Sequence, residues 1–139
     1  RRRHFRHELA SALAMIDQGV DDLATYLVAC HHGKVRMVIR SRPTETPPAS
    51  GVDFALGVHH GDELPETSLG GGVVVPPTVL RLDVMKLGQR NGHLSWAART
   101  SALLEMWGPF RLALMETLVR VADWRASARH SSAEVFPHA

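Results

Sequence analysis

The residues best suited to chemistry in this chain are histidines and one late aspartate. Nine histidines in 139 residues is a high count, and position separates those that could act together. His7 opens the first helical pattern within Phe5-Arg6-His7-Glu8, and His31-His32-Gly33 closes the second. There the negative end of a helix dipole and its free carbonyls favour a nearby cation. Asp123 falls in the middle of the last helical pattern; an enclosed carboxylate needs a partner, because burying it unpaired costs roughly several kcal/mol. Imidazole with carboxylate suits Mn, Fe, Co, Ni or Zn, whereas all-oxygen sites suit Mg or Ca. The mixed set points to a transition metal. Successive residues on a helix diverge by about 100°, so His31 and His32 are expected to serve two ions, or one ion and one phosphate. Two ions a few ångströms apart would stabilise both the attacking and the leaving oxygen of a phosphodiester.

Positioning these groups falls to a mainly α fold with a short-stranded, loop-rich insertion. Leu9, Ala12, Leu13 and Ile16 repeat at helical spacing from Arg6 to Gln18, with Gly19 as the stop. A second helix starts with Asp21 or Asp22 as cap and buries Leu23, Leu27 and Cys30; His31 and His32 form its last turn, and Gly33 takes the left-handed position beyond. Lys34 to Arg40 alternates, with Val35, Met37 and Ile39 on one side and Lys34, Arg36 and Arg40 on the other, and reads as a short strand or extended arm. The Pro- and Gly-rich stretches Arg42 to Gly51 and Gly61 to Pro77 read as loops, and Val79 to Val84 as a strand burying Leu80, Leu82 and Val84. Ser95 caps a helix to about Trp107; Gly108-Pro109 breaks it, and a last helix runs to about Ala128 with a flexible tail from 130 to 139. Apolar residues on more than one face predict that this last helix is central and enclosed. Trp96, Trp107 and Trp124 are all expected in the core.

Composition fixes the outer bounds. Hydrophobic residues make up 45%, enough for one domain or most of one. The net charge of +2 owes much to Arg1, Arg2, Arg3 and Arg6, and does not establish a nucleic-acid partner. Cys30 is the only cysteine, which excludes an intramolecular disulfide and a Cys-x-x-Cys zinc site and favours a cytoplasmic setting. No apolar run approaches the ~20 residues of a membrane-spanning helix, so no membrane partner is expected.

Three segments carry a resemblance: Phe5-Arg6-His7-Glu8-Leu9-Ala10-Ser11, then Tyr26-Leu27-Val28-Ala29-Cys30-His31-His32-Gly33-Lys34-Val35-Arg36, then Ala122-Asp123-Trp124-Arg125-Ala126-Ser127. Gly61-Asp62-Glu63-Leu64-Pro65 and Gly108-Pro109-Phe110-Arg111-Leu112-Ala113 add to it. In their order and spacing they resemble the C-terminal part of the HD nuclease domain of the CRISPR-associated nuclease-helicase of type I interference systems. The resemblance implies a partial HD-domain helical bundle over residues 1–129 with metal ligands at His7, His31, His32 and Asp123. Substrate contacts are expected at Lys34, Arg36 and Ser127, and the cofactor expected is a divalent transition metal (Mn, Ni, Co or Fe), two ions in the intact domain. The activity implied is metal-dependent hydrolysis of single-stranded DNA in antiviral defence. The implied partners are an RNA-guided CRISPR surveillance complex and a helicase segment in the same or another chain.

The departures are equally specific. The family's His-Asp pair, the histidine before it and the lysine after it are expected upstream of Arg1, since no His-Asp dipeptide occurs in the sequence. The chain is therefore expected to be an incomplete domain, inactive alone. No Gly-x-x-x-x-Gly-Lys-Ser/Thr loop is present, so the sequence carries no ATP-driven motor motif. An HD phosphohydrolase acting on nucleotides, or a non-catalytic fragment or binding module, remain alternatives. Asp123 could instead bond Ser127 or pair with Arg120. Lys34, Arg36 and Arg40 could hold a DNA backbone or form a solvated face. His59-His60-Gly61 repeats the look of His31-His32-Gly33 but precedes an irregular stretch, and is read as a decoy.

Overall fold

The computed structural model describes residues 2, 5–33, 35–90 and 92–134. It is helix-rich, with α1 (His7–Asp17), α2 (Asp22–Cys30) and a long α3 (Trp96–Glu134), and its remaining regular structure is short antiparallel strand pairs. Helix α1 buries Leu9, Ala10, Ala12, Leu13 and Ala14, and α2 buries Thr25, Tyr26, Ala29 and Cys30. Leu23 and Leu27 of α2, expected at the centre of its stripe, pack at the edge of the core instead. The Asp21 side chain caps α2 by accepting from the Ala24 N–H at 2.9 Å.

The helical break at Gly108 lies where Gly-Pro places it: φ +72 and ψ 159 are outside the helical range and cheap only for glycine. Ser95 caps the first half of α3, accepting from the Ala98 N–H at 3.2 Å, and an Arg99–Asp22 ion pair ties that half to the start of α2. Helical backbone runs past the expected end to Glu134, so residues 130–134 are helix and not tail; 135–139 lie outside the described residues.

The second half of α3 is not the enclosed central helix that its composition suggests. Leu112 and Glu116 are buried, but Phe110 is 89% exposed and Trp124 63%, with Leu114 and Leu118 also exposed. The described elements pack against one side of this helix and leave the other uncovered. Trp96, by contrast, is fully buried and stacks on Tyr26 with ring centroids 6.4 Å apart.

The strand or extended arm expected from Lys34 to Arg40 is not a strand among the described residues, and its backbone bends at Arg36 and Met37. Of the apolar residues on one side of that alternation, Val35 and Ile39 are buried and Met37 is exposed. The arm is held instead by polar cross-links: the Trp96 indole N–H donates to the Arg36 carbonyl, and the Arg36 guanidinium lies 3.3 Å from Glu116. Leu80, Leu82 and Val84 are buried, yet the strand expected there is a two-residue strand followed by a 3-10 turn, Leu82–Met85. The glycine-rich stretch read as loop contains an exposed hairpin, Thr67–Gly70 with Val73–Val75.

One small hairpin bears on the site. Strands Phe54–Ala55 and Val58–His59 are joined by Leu56-Gly57, both at positive φ (+53 and +76), as a tight two-residue turn demands. Leucine in that conformation costs roughly 1–2 kcal/mol; burial of its side chain offsets the strain. The Leu56 carbonyl accepts from the Arg6 N–H at 3.0 Å, which fixes the start of α1 where no side chain caps it. Glu45 supports the turn by accepting from the Gly57 N–H at 2.6 Å.

Candidate metal centre

Helix α1 presents His7 from its first turn, and the end of α2 presents His31 and His32. The His7 and His32 Nε2 atoms are 3.3 Å apart, with ring planes almost perpendicular at 88°. The His31 and His32 rings lie 4.0 Å apart, and one ligand atom from each of the three histidines falls within 4.8 Å of the others. Two imidazole nitrogens bound to one ion at about 2.0–2.1 Å in tetrahedral geometry sit roughly 3.3 Å apart. The His7–His32 spacing therefore fits a shared ion.

The expectation that His31 and His32 would diverge assumed a continuing helix. Helix α2 stops at Cys30, with His31 as its C-cap and His32 in the following turn. Gly33 completes that turn at φ +67, and its N–H donates to the Cys30 carbonyl at 2.7 Å. His31 itself keeps the αR conformation (φ -59, ψ -25), and its ring lies 4.0 Å from that of His32. His31 is also oriented: its Nδ1 donates to the Val28 carbonyl at 2.6 Å, which leaves Nε2 as the free lone pair. His32 titrates below the ordinary 6.5, chiefly because burial disfavours the cation and next because His31 is adjacent. A neutral imidazole is the form that binds metal.

Helix α3 is latched to this turn by Arg120, whose Nε donates to the His31 carbonyl at 2.9 Å. A Cβ on Gly33 would meet the Arg120 guanidinium at 2.9 Å, so glycine is required for close approach as well as for φ. Asp123 lies one turn beyond Arg120 and is half-buried. It acts electrostatically on His32 but lies outside the three-histidine group. Arg120, offered by the sequence as a partner for Asp123, spends its Nε on His31.

The basic candidates separate clearly. Arg36 is paired with Glu116, whose other oxygen accepts from the Tyr26 hydroxyl at 2.6 Å. This network ties α2, the arm and α3 together beneath the histidines. Arg40 is exposed, as is Ser127 on α3. Lys34 lies outside the described residues.

Sequence reasoning missed the contacts that Glu116 and Arg120 make, and the burial of Glu8. The signal for the first two was charge on the packed face of a helix: Glu116, Arg120 and Asp123 recur at spacings of four and three. The second His-His-Gly is engaged within the fold. His60 Nδ1 accepts from the Leu82 N–H at 3.2 Å, and His59 lies in a strand with its ring edge-on to Phe54. A concavity lined by Arg2, Glu45, Phe54 and His59 is bordered by groups already engaged, Arg2 with Asp62 and Glu45 with the Arg42 and Gly57 N–H groups. Among the described residues no helix is long and apolar enough to cross a membrane. No family model, curated protein or solved structure matches the chain.

Proposed function

We propose that this chain carries part of the metal centre of an HD-type nuclease domain that hydrolyses phosphodiester bonds of single-stranded DNA, as in the CRISPR-associated nuclease-helicase it resembles. The observation that supports this reading is the convergence of His7, His31 and His32 from two helices, with two Nε2 atoms at the spacing of ligands on one ion. On this reading the three histidines hold a divalent transition metal, with Asp123 completing the set from α3. When bound, such an ion polarises a phosphoryl oxygen and lowers the pKa of water for attack on phosphorus.

The chain's own residues supply position. The Val28 carbonyl fixes the His31 tautomer, Arg120 holds the His31–Gly33 turn against α3, and the Leu56 carbonyl sets the start of α1 from which His7 projects. Exposed Arg40 is free to meet a DNA phosphate, whereas Arg36 would have to share its charge with Glu116. Neutral His32 is ready for a metal at neutral pH without first losing a proton.

Two measurements test the reading. Calorimetric titration with Mn or Ni should show saturable binding to the chain, lost in His32→Ala. A polypeptide carrying the His and His-Asp motif ahead of Arg1 should cleave single-stranded DNA with either metal, and His32→Ala and Asp123→Ala should each abolish cleavage. Undiminished cleavage in both variants would sink the assignment. Hydrolysis confined to mononucleotides would move it to the nucleotide phosphohydrolases, and absence of metal binding would make the chain a non-catalytic module.

A further inference from the structure

Among the described residues, Glu8 carries buried side-chain oxygens that lack a hydrogen-bond partner, next to the histidines. Its side chain is 0% exposed, and neither carboxyl oxygen has a hydrogen-bond partner among the described residues. A buried polar group left unpaired is costly, and native folds rarely keep one without use. The His7 ring adjoins it, with Nδ1 3.7 Å from Glu8 Oε2. That is too long for a hydrogen bond.

The other face of the same ring is the one that matters for the metal. His7 Nε2 points to His32 Nε2, so Nδ1 and Nε2 look in opposite directions, one to a buried carboxyl group and one to the ligand cluster. His31 has its Nδ1 held by the Val28 carbonyl, whereas the His7 side chain is 61% exposed and has nothing within hydrogen-bond reach on Nδ1 among the described residues. A small rotation of that exposed ring brings Nδ1–H onto Glu8. A carboxylate behind a ligating histidine fixes its tautomer, orients the ring and raises its basicity.

We infer that Glu8 is a positioning residue of the metal centre, the acceptor for His7 Nδ1–H that turns His7 Nε2 toward the ion. The inference rests on the metal-centre reading above. It also explains why α1 tolerates an unpaired carboxyl group among Leu9, Ala10 and Leu13.

The test uses the chain with Glu8→Leu and Glu8→Gln, read by thermal melting, by Ni titration and by 15N shifts of the His7 ring without metal. Glu8→Leu removes an unsatisfied group from an apolar site and should raise the melting temperature, while weakening Ni binding by about 10–100-fold. Glu8→Gln keeps an acceptor without the charge and should lie between Glu8→Leu and wild type. In wild type the metal-free His7 ring should favour the Nδ1–H tautomer, and this preference should disappear in Glu8→Leu. A purely structural role predicts the reverse: lower stability, unchanged affinity and an unchanged tautomer, and that result overturns the inference. If Glu8→Leu does not fold, Glu8→Gln decides, with wild-type affinity overturning the inference. A wild-type chain that binds no metal removes the metal-centre reading itself, whereas normal wild-type binding with indifferent Glu8 variants removes only the role of Glu8.

Discussion

His31-His32-Gly33 and His59-His60-Gly61 are the same three residues in two different settings. Both glycines take positive φ, +67 and +89. In the first, one ring nitrogen of His31 is occupied by the Val28 carbonyl and the other is left facing His7 and His32. In the second, His60 spends its ring nitrogen as acceptor for the Leu82 N–H, and His59 is taken up by a strand and by Phe54. Gly33 has the Arg120 guanidinium against it, whereas Gly61 faces open space. The tripeptide does not decide the chemistry. What decides it is whether the backbone consumes the imidazole as an acceptor or orients it as a donor and leaves a lone pair free.

The largest effect expected from breaking this contrast is on metal affinity. His31→Ala or His32→Ala should weaken Ni binding in calorimetry by more than the roughly 10–100-fold that loss of an outer-shell partner costs. His59→Ala should leave it unchanged. Equal losses at both sites would erase the distinction.

The glycines offer a smaller test. Gly61→Ala should cost about 1–2 kcal/mol, the strain of a side chain at positive φ. Gly33→Ala should cost more, because the added methyl group must also displace Arg120 from the His31 carbonyl. Urea denaturation of the two variants measures the difference, and only Gly33→Ala should also lower metal affinity.

The smallest expected effect concerns pH. The His32 value is lowered on folding, so between its folded value and 6.5 the unfolded chain binds more protons. The stability contributed by neutral His32 is therefore complete above 6.5 and is lost as pH falls through the folded-state value. NMR titration should place His32 below the ordinary histidine range, and denaturation should show stability declining as pH drops from 7 toward 5. A His32 titration at or above 6.5 would contradict the burial that the structure gives it.

Much of the frame was legible in the sequence. Asp21, Gly33, Ser95 and Gly108 mark the ends of elements through local backbone chemistry, and the structure uses each as such. The burial of Leu80, Leu82 and Val84 was readable even where the strand was not, because alternation reports facing more directly than it reports hydrogen bonding. Other features depend on partners distant in sequence. Nothing local distinguishes Glu116 from a surface glutamate until Tyr26, 90 positions earlier, donates to it. Arg120 and His31 meet across 89 positions. The enclosed last helix was misjudged for a related reason: apolar residues around Phe110, Leu114, Leu118 and Trp124 state a capacity for burial, and only the packed chain shows which side is covered.

Cys30 adjoins His31 of the proposed set, yet it is fully buried, and burial together with Glu116 pushes its thiol up to about 12. A thiolate is the softest donor a protein offers and draws Zn, Cu(I) and iron–sulfur chemistry. Held protonated beside Tyr26 and Glu116, the chain's only sulfhydryl would stay out of competition for an ion at the proposed centre. The donors left to the proposed centre would be imidazole and carboxylate, the set that suits Mn, Fe, Co, Ni or Zn.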